Sequence, residues 1–427
     1  MGKYIEHNHN HDGIDRRGFL KCMAWAGTGV IWFMHSGVLK SAGLSQIIDK
    51  TTGKIRSNIN IAKGDFTFVQ ISDSHIGFNK DANPDVVGTL QAAISKINAL
   101  PYSPSFVIHT GDLSHLSKPS EFDTLDQVLK SVKTDKIFFV PGEHDFLSDN
   151  GEQYLKRYGK GTKGSGWYSF DNKGTHFVGL VNVVNLKAGG LGILGAEQLE
   201  WLEDDLKGQS SSTPIVVFAH IPLWSVYPQW GWGTDDSAQA LSYLKRFGSV
   251  TVLNGHIHQN IQKIEGNITF HTVMSTAFPQ PIPGTAPAPG PMKVPAERLR
   301  TLLGLSSINY MEHMHTLAII DTPLISSSMD SMNEEKSEKA DTKPSGKNTV
   351  VIENFSFNPK ELVVSAGSVV TWINNDDSPH FVLSTDKFFS STAMDTNDKF
   401  TFKFSTPGNY KYFCKIHPMM TGTIIVK

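Results

Sequence analysis

The sequence predicts two folded units of different class, an α/β unit followed by an all-β unit. Between residues 66 and 253, segments with strand character alternate with segments of helical apolar spacing, a pattern that indicates an α/β sheet. The last 80 residues are rich in Val, Ile, Phe and Thr with Gly, Pro and Asn breaks, which is typical of an all-β unit. Residues 326–347 contain no aromatic residue and no Val, Ile or Leu, so burial cannot offset their ordering entropy. We therefore expect a disordered linker there.

The elements of the larger unit follow from its apolar spacing. Strands are predicted at 66–71, 106–108, 137–140, 215–218 and 250–253, and helices at 85–100, 121–132, 197–206 and 237–247. Residues 279–295 carry 7 of the 21 Pro and indicate a surface loop. We expect the α/β unit to span residues 48–325 and the all-β unit to span 348–427.

The composition excludes several classes of protein. Lys+Arg is 39 and Asp+Glu is 41, a net charge of −2 that provides no basic face for nucleic acid. With 39% hydrophobic residues and 37 Gly, the chain is neither disordered throughout nor a polytopic membrane protein. Only two Cys are present, Cys22 and Cys414, which excludes a disulfide scaffold.

Residues 1–47 indicate a targeting region. Arg16 and Arg17 precede an apolar run of 16 residues from Met23 to Val38, the pattern of a twin-arginine export signal. The run is shorter than the roughly 20 residues of a membrane span. We expect an exported, periplasmic protein with no stable membrane span after signal removal. The alternative is an uncleaved signal that anchors the chain to the membrane.

Each predicted strand of the larger unit ends in a cluster of polar side chains. The clusters are Ser72-Asp73-Ser74-His75, His109-Thr110-Gly111-Asp112, Pro141-Gly142-Glu143-His144-Asp145, Ala219-His220 and Asn254-Gly255-His256-Ile257-His258. In open α/β sheets, ligands bind beyond the carboxyl ends of the strands, so these clusters should meet in one cleft. Mixed imidazole and carboxylate ligands suit Zn, Mn, Fe or Ni rather than Ca or Mg.

Residues 65–321 resemble the calcineurin-like metallophosphoesterase superfamily. The resemblance rests on Asp73-x-His75, Gly111-Asp112, Gly142-Glu143-His144-Asp145, His220 and Gly255-His256-x-His258. It implies a β-sandwich flanked by helices, two metal ions (Mn, Fe or Zn), and a metal-dependent phosphoric ester hydrolase. The substrate would be a phosphodiester or a phosphomonoester, attacked by a metal-bound hydroxide. A cyclic-nucleotide phosphodiesterase-like branch resembles the chain most in detail.

The resemblance also implies a role for each residue. One metal ion would take Asp73, His75, Asp112 and His258, and the other would take the bridging Asp112 with Glu143, His220 and His256. His144 would contact the phosphate and protonate the leaving oxygen, with Asp145 orienting it.

Two positions leave alternatives open. Glu143 stands where the family usually has Asn, so it could lower the Lewis acidity of the second metal or favour a more highly charged ion. Glu143 could also lie away from the second metal and leave that site with weak metal affinity. His115, three residues after Asp112, could be an extra ligand, a group behind the ligands, or a surface residue.

The C-terminal unit carries a second set of metal-binding residues. Cys414, His417 and Met420 follow one another at spacings of three, and His380 lies 34 residues before the cysteine. One Cys, two His and a weak axial Met form the ligand set of a blue-copper centre. Met419 could compete as the axial ligand, but the spacing favours Met420. The alternative is a free, buried Cys in an immunoglobulin-like sandwich.

Residues 348–427 resemble the cupredoxins, nearest to the amicyanin, plastocyanin and pseudoazurin group. Val369–Asn374 followed by His380 is similar to their first-ligand region, and Thr406–Tyr412 is similar to the strand that enters their copper loop. The resemblance implies a Greek-key sandwich, one type 1 copper, and a redox partner that docks at an exposed edge near His417.

Two functions therefore compete. The first is an exported dinuclear-metal phosphoesterase with a tethered electron-transfer domain. The second is a copper-binding or electron-transfer protein whose larger unit is a non-catalytic or redox-regulated scaffold. In a combined form, the copper domain sets the oxidation state of an iron in the dinuclear site.

Overall fold

The computed structural model describes residues 30–35, 38–43, 65–134, 136–186, 190–311, 316–325, 346, 348–417 and 419–427. The predicted twin-arginine pair and nearly all of the predicted linker lie outside these residues. Strands β1 (Val30–His35) and β2 (Val38–Gly43) pair in antiparallel fashion within the predicted signal region. Among the helices that the structure describes, none has the length and apolar character that a membrane span needs.

The larger unit alternates strands and helices, as its spacing predicts. Its strands are β3 (Phe66–Ile71), β4 (Val107–His109), β5 (Ile137–Phe139), β6 (Tyr168–Asn172), β7 (Thr175–Gly179), β8 (Ile215–Phe218), β9 (Val250–Asn254), β10 (Gln262–Glu265), β11 (Ile268–Thr272), β12 (Gly304–Met311) and β13 (Thr316–Pro323). Its helices are α1 (Val86–Asn98), α2 (Pro119–Leu129), α3 (Glu152–Tyr158), α4 (Ala196–Lys207), α5 (Ser237–Leu244) and α6 (Ala296–Leu299).

The strands form two sheets that pack face to face. One has the order β13-β12-β3-β4-β5 and the other the order β10-β11-β9-β8-β7-β6. Aromatic and aliphatic side chains from both sheets fill the space between them, for example Phe68 and Phe177, whose ring centroids lie 5.4 Å apart. Residues of α1 and α2 join one apolar cluster and those of α4 and α5 join another. The predicted β-sandwich flanked by helices is therefore confirmed.

Parallel pairing brings the important strand ends to one edge. Strands β3, β4 and β5 are parallel to one another, and so are β7, β8 and β9. The carboxyl ends of parallel strands lie at the same edge of a sheet, so the loops after them are neighbours. At the start of α1, Asp85 Oδ1 accepts a hydrogen bond of 2.8 Å from the Gly88 amide, which satisfies one free N–H of the first turn.

The C-terminal unit is an all-β sandwich, as predicted. Its strands are β14 (Thr349–Ile352), β15 (Phe357–Asn358), β16 (Glu361–Val364), β17 (Ser368–Asn374), β18 (Leu383–Ser384), β19 (Lys399–Phe404), β20 (Gly408–Phe413) and β21 (Thr421–Val426). Two four-stranded sheets have the orders β15-β14-β17-β19 and β16-β21-β20-β18. Trp372 is fully buried between them, edge-on to Tyr412 at a centroid distance of 5.4 Å.

Candidate metal centres

The strand ends of the larger unit deliver their polar side chains to one buried cluster. It contains all of the residues predicted to bind the two metals: Asp73, His75, Asp112, Glu143, His220, His256 and His258. The backbone is left-handed at several of them, with φ of 53° at Asp73, 51° at Asp112 and 69° at His256. Non-glycine residues seldom adopt this region, and such strain concentrates at functional sites. Packing around the loops therefore holds these side chains in place.

Gly142 allows two of these loops to approach each other. A Cβ at this position would lie 2.0 Å from Asp112 Oδ1 and 2.4 Å from the Asp112 amide nitrogen. Any side chain here would displace the Asp112 carboxylate. The glycine that precedes Glu143 is thus a requirement of the site geometry.

The first metal position is outlined by Asp73, His75, Asp112 and His258. His258 Nε2 lies 3.2 Å from Asp73 Oδ1 and 3.3 Å from His75 Nε2, which is itself 3.6 Å from Asp112 Oδ2. These spacings suit ligand atoms that each lie about 2.0–2.2 Å from one ion. His258 Nδ1 donates to the Phe278 carbonyl at 2.6 Å, which leaves Nε2 for the metal.

The second metal position lies between Glu143, His220 and His256. Glu143 Oε2 is 3.1 Å from His220 Nε2, and Glu143 Oε1 is 3.0 Å from His256 Nδ1. Glu143 therefore reaches both histidines and does not stand off from the site. Asp112 Oδ2, which contacts His75 of the first position, also lies 3.3 Å from His220 Nε2. This geometry suits a bridging carboxylate.

Unsatisfied polar atoms at the centre fit a bound cation. His220 Nε2 and Glu143 Oε2 are buried and have no hydrogen-bond partner among the described residues, although they lie close together. His220 Nδ1 donates to the Thr110 carbonyl at 2.7 Å, so Nε2 is the nitrogen that faces the metal position. Buried polar atoms without partners are rare in folded proteins, and a metal ion would satisfy both.

The charges of the cluster also fit metal binding. Burial opposes the ionisation of Asp73, but His258 and His220 lower its pKa to about 2. Burial opposes the ionisation of Glu143 as well, yet His256 and His220 hold its pKa well below its usual range. Both carboxyl groups are therefore ionised at neutral pH, as metal ligands must be.

His144 lies at the edge of the cluster with one ring nitrogen free. Its amide donates to Asp112 Oδ1 at 3.0 Å, and its Nδ1 donates to the His115 carbonyl at 2.8 Å. Nε2 is thus the nitrogen available to a substrate. Burial lowers the pKa of His144, but Asp112 and Glu143 outweigh that effect and raise it.

Asp145 does not orient the His144 ring, contrary to the prediction from the resemblance. Its carboxylate accepts hydrogen bonds of 2.8–3.1 Å from the backbone of Leu113, Ser114 and Gly142 and from the Ser114 hydroxyl. The 3-10 turn Glu143–Phe146 rotates successive side chains by about 120°, so His144 and Asp145 point to different sides. Asp145 is a positioning residue that ties the loop after β4 to the loop after β5.

His115 is buried, with 1% exposure, so the surface alternative is wrong. Its ring centroid lies 5.3 Å from that of His144 and 5.9 Å from that of His75. Its Nε2 lies 3.8 Å from Asp395 Oδ1 in the C-terminal unit. A ring nitrogen of His115 lies within 4.8 Å of ligand atoms of His75 and His144, so the extra-ligand alternative stays open, and the residue also adjoins the other unit.

The predicted copper ligands form a compact triangle. Cys414 Sγ lies 3.7 Å from both His380 Nδ1 and His417 Nδ1, and the two nitrogens lie 3.1 Å apart. An ion about 2.0 Å from each nitrogen and about 2.3 Å from the sulfur spans such edges. Met420 is buried beside the triangle, whereas Met419 is 57% exposed, which favours Met420 as the axial ligand.

Neighbouring groups orient the ligands of this triangle and favour the ionised form of its thiol. His380 Nε2 lies 2.9 Å from Asp376 Oδ2, which leaves Nδ1 for the ion. Burial opposes ionisation of the Cys414 thiol, but His380 and His417 hold its pKa well below its usual range. The Phe381 amide donates to the sulfur at 3.3 Å. Asp376 was not among the predicted site residues; its place four residues before His380 is the signal in the sequence that points to it.

A cavity of about 270 Å³ lies where the two units meet. Residues of the larger unit, including His75, Asp112, Glu143 and His144, line one side, and Phe355, His417, Met419 and Met420 line the other. Leu116 and Leu147 pack into the apolar cluster of the C-terminal unit. The edge near His417, expected to be exposed, therefore faces the dinuclear cluster.

Comparisons with known proteins match the two units separately. Residues 66–260 match the family model for calcineurin-like phosphoesterases, and residues 325–426 match that for the cupredoxin-like domain. The chain is 28% identical over 230 residues to the serine/threonine-protein phosphatase CPPED1 of Danio rerio, covering 46% of this chain and 71% of that protein. It is 24% identical over 218 residues to a 3',5'-cyclic-nucleotide phosphodiesterase of Nostoc sp., covering 50% and 79%.

A third relative covers the C-terminal unit. Amicyanin-alpha of Methylorubrum extorquens is 34% identical over 89 residues, covering 20% of this chain and 75% of that protein. Together with the sandwich, the dinuclear cluster and the Cys-His-His triangle, these matches confirm the two resemblances. The chain belongs to the calcineurin-like phosphoesterases through its larger domain and to the cupredoxins through its C-terminal domain.

Proposed function

We propose that this protein is an exported phosphoesterase that hydrolyses small phosphate esters at a dinuclear metal centre and carries a type 1 copper electron-transfer centre. The observation that carries the proposal is the convergence of the predicted ligands, from the ends of five strands, in one buried cluster with unsatisfied atoms at its centre. The similarity to a phosphatase and to a phosphodiesterase supports phosphate-ester hydrolysis.

Each group of the cluster has a distinct task. Two bound ions, among Mn, Fe and Zn, supply the charge that clamps the phosphate oxygens and lowers the pKa of the attacking water. Asp112 holds the two metal positions together through one carboxylate oxygen. His144 Nε2 faces the substrate side and gives its proton to the leaving oxygen, while the His115 carbonyl fixes the ring.

The cavity limits the substrate. Its volume of about 270 Å³ is at or below the lower end of the roughly 300–1,000 Å³ typical of ligand pockets, which favours a small ester over a folded phosphoprotein. Trp230 and Phe278 from the larger domain and Phe355 from the C-terminal domain contribute apolar walls. Apolar walls lower the local dielectric constant and so strengthen the electrostatic contacts to the phosphate.

The copper centre is proposed from the same kind of argument. Cys414, His380 and His417 would hold the ion, with Met420 as a weak axial ligand. The arginine pair and the apolar run in residues 1–47 support export by the twin-arginine route.

The proposal is tested by loading the purified chain with Mn, Zn or Fe and measuring hydrolysis of bis-p-nitrophenyl phosphate. Asp112→Asn should abolish turnover because it weakens the carboxylate contact shared by the two metal positions. Asp126→Asn is the matched control, since this carboxylate lies on α2 and bonds Tyr158 at 2.7 Å. Copper should give an intense visible band that Cys414→Ser removes. A blue protein with no hydrolysis under all three metals would favour the second function, a copper protein with a non-catalytic or redox-regulated scaffold.

A further inference from the structure

The copper edge of the C-terminal domain faces the dinuclear cluster of the same chain. His417 lines the cavity together with His144 and Glu143. An electron-transfer metal needs one edge of its ligand shell to be accessible to a partner. Here the chain's own larger domain covers that edge.

We propose that the copper centre and the dinuclear centre exchange an electron within one chain, through a bridge formed by His380, Met394, Asp395 and His115. The inference rests on the proposed function, because it needs an ion at each centre. It adds a route between the centres that is built from this chain's own residues.

The first half of the bridge belongs to the C-terminal domain. The His380 amide donates to the Met394 carbonyl at 3.0 Å, and the Met394 amide donates to the His380 carbonyl at 2.8 Å. This pair of hydrogen bonds joins a copper ligand directly to the segment that carries Asp395. Both His380 and Met394 are buried, so the connection is shielded from water.

The second half crosses the domain boundary. Asp395 Oδ1 lies 3.8 Å from His115 Nε2, and the His115 ring centroid lies 5.9 Å from that of His75, a predicted ligand. The His115 carbonyl also accepts the 2.8 Å hydrogen bond from His144. The bridge therefore runs from one metal ligand to another through covalent bonds, hydrogen bonds and short contacts.

The backbone carbonyl of His115 orients His144, whereas its ring has no such partner. Both of its ring nitrogens are buried and make no hydrogen bond to a described residue. Burying a polar group without a hydrogen bond costs free energy. A histidine kept at that cost between two metal centres is well placed to connect them.

Further contacts between the two domains hold Asp395 close to His115. Lys80 Nζ forms an ion pair of 3.3 Å with Asp395 Oδ2, and Lys415 Nζ lies 3.5 Å from Asn150 Oδ1. Leu116 packs into the apolar cluster of the C-terminal domain. The bridge thus belongs to a packed interface.

The electron transfer is chemically balanced when the dinuclear centre holds iron. Cu(I) loses one electron and becomes Cu(II), and Fe(III) gains that electron and becomes Fe(II). No bond is made or broken and no proton is required. Zinc cannot accept the electron because it has no accessible second oxidation state.

The test uses the full-length protein loaded with copper and with either iron or zinc. Metal analysis and the blue band first establish that both centres are filled, and a flash-reduced flavin then supplies one electron. With iron, the blue absorbance should show a first-order phase whose rate does not depend on protein concentration. With zinc, that phase should be lost. A rate proportional to protein concentration, or an identical phase with zinc, would overturn the inference.

Variants of Asp395 and Lys80 distinguish an effect on the electron-transfer route from an effect on the packing of the two domains. Asp395→Ala should slow the phase, because it widens the present 3.8 Å gap between this segment and the His115 ring, with an unchanged copper spectrum. Asp395→Asn keeps the size and shape of the side chain and should keep the rate. Lys80→Ala removes only the Lys80–Asp395 ion pair between the domains and should also leave the electron-transfer rate unchanged. Equal slowing in Lys80→Ala would overturn the bridge, and failure to bind copper or iron would overturn the proposed function together with this inference.

Discussion

Replacement of His144 by alanine tests the proposed acid catalyst more sharply than replacement of any ligand. The ring is held by one hydrogen bond of 2.8 Å from Nδ1 to the His115 carbonyl, so Nε2 alone can reach a leaving oxygen. His144→Ala removes this proton donor and leaves the seven predicted ligands in place. We therefore expect slower turnover with unchanged metal content.

The size of the effect depends on the leaving group. A positioned general acid contributes about 10²–10⁴-fold, equivalent to about 3–5 kcal/mol of transition-state stabilisation. The full loss should appear with an alkyl phosphate ester, whose leaving oxygen is strongly basic and needs the proton. With a p-nitrophenyl ester the loss should be much smaller, because p-nitrophenolate leaves without protonation.

The assay compares kcat for the two esters in the wild type, in His144→Ala and in a control variant. His176→Gln is the control, because His176 is a buried histidine on β7 whose ring bonds Asp171 and Asp205 at 2.8 Å, outside the dinuclear cluster. Equal losses with both esters would refute the role of acid. Loss of metal from His144→Ala would show that this histidine is a ligand.

Three further outcomes are expected. Glu143→Asn removes a carboxylate that lies 3.0–3.1 Å from two histidines, so metal analysis should show weaker retention of trivalent iron relative to zinc; identical metal content would contradict a ligand role. Met420→Leu should keep the blue band and raise the copper potential in a redox titration, because the weak thioether donor stabilises Cu(II) more than Cu(I). Met419→Leu should change neither the band nor the potential. A raised potential in Met419→Leu, with none in Met420→Leu, would make Met419 the axial ligand. Burial lowers the pKa of His176 but two carboxylates raise it overall. Its contribution to stability is therefore full below its ordinary pKa of 6.5 and is lost as the pH rises through the raised value, so the difference in Tm between wild type and His176→Gln should shrink from acid to alkaline pH.

The sequence by itself determined the fold classes and predicted which residues gather at each centre. Alternating strand and helix periods predicted the α/β domain, and the spacing of Cys414, His417 and Met420 predicted a copper loop that the structure closes with His380. These features are local: strand and helix periods, and ligands a few residues apart on a loop, are visible along the chain. The rule that ligands gather beyond strand ends then brought the remaining clusters together.

Only the tertiary structure decided how the two centres relate. His115 and Asp395 meet at 3.8 Å although they are 280 positions apart, and no local pattern links them. The orientation of His144 by a backbone carbonyl, and not by Asp145, depends on the rotation of one 3-10 turn. The closure of the cavity by the C-terminal domain depends on packing between two separately folded surfaces. Such contacts arise from the complementary shape and charge of distant segments, which the order of residues along the chain does not display.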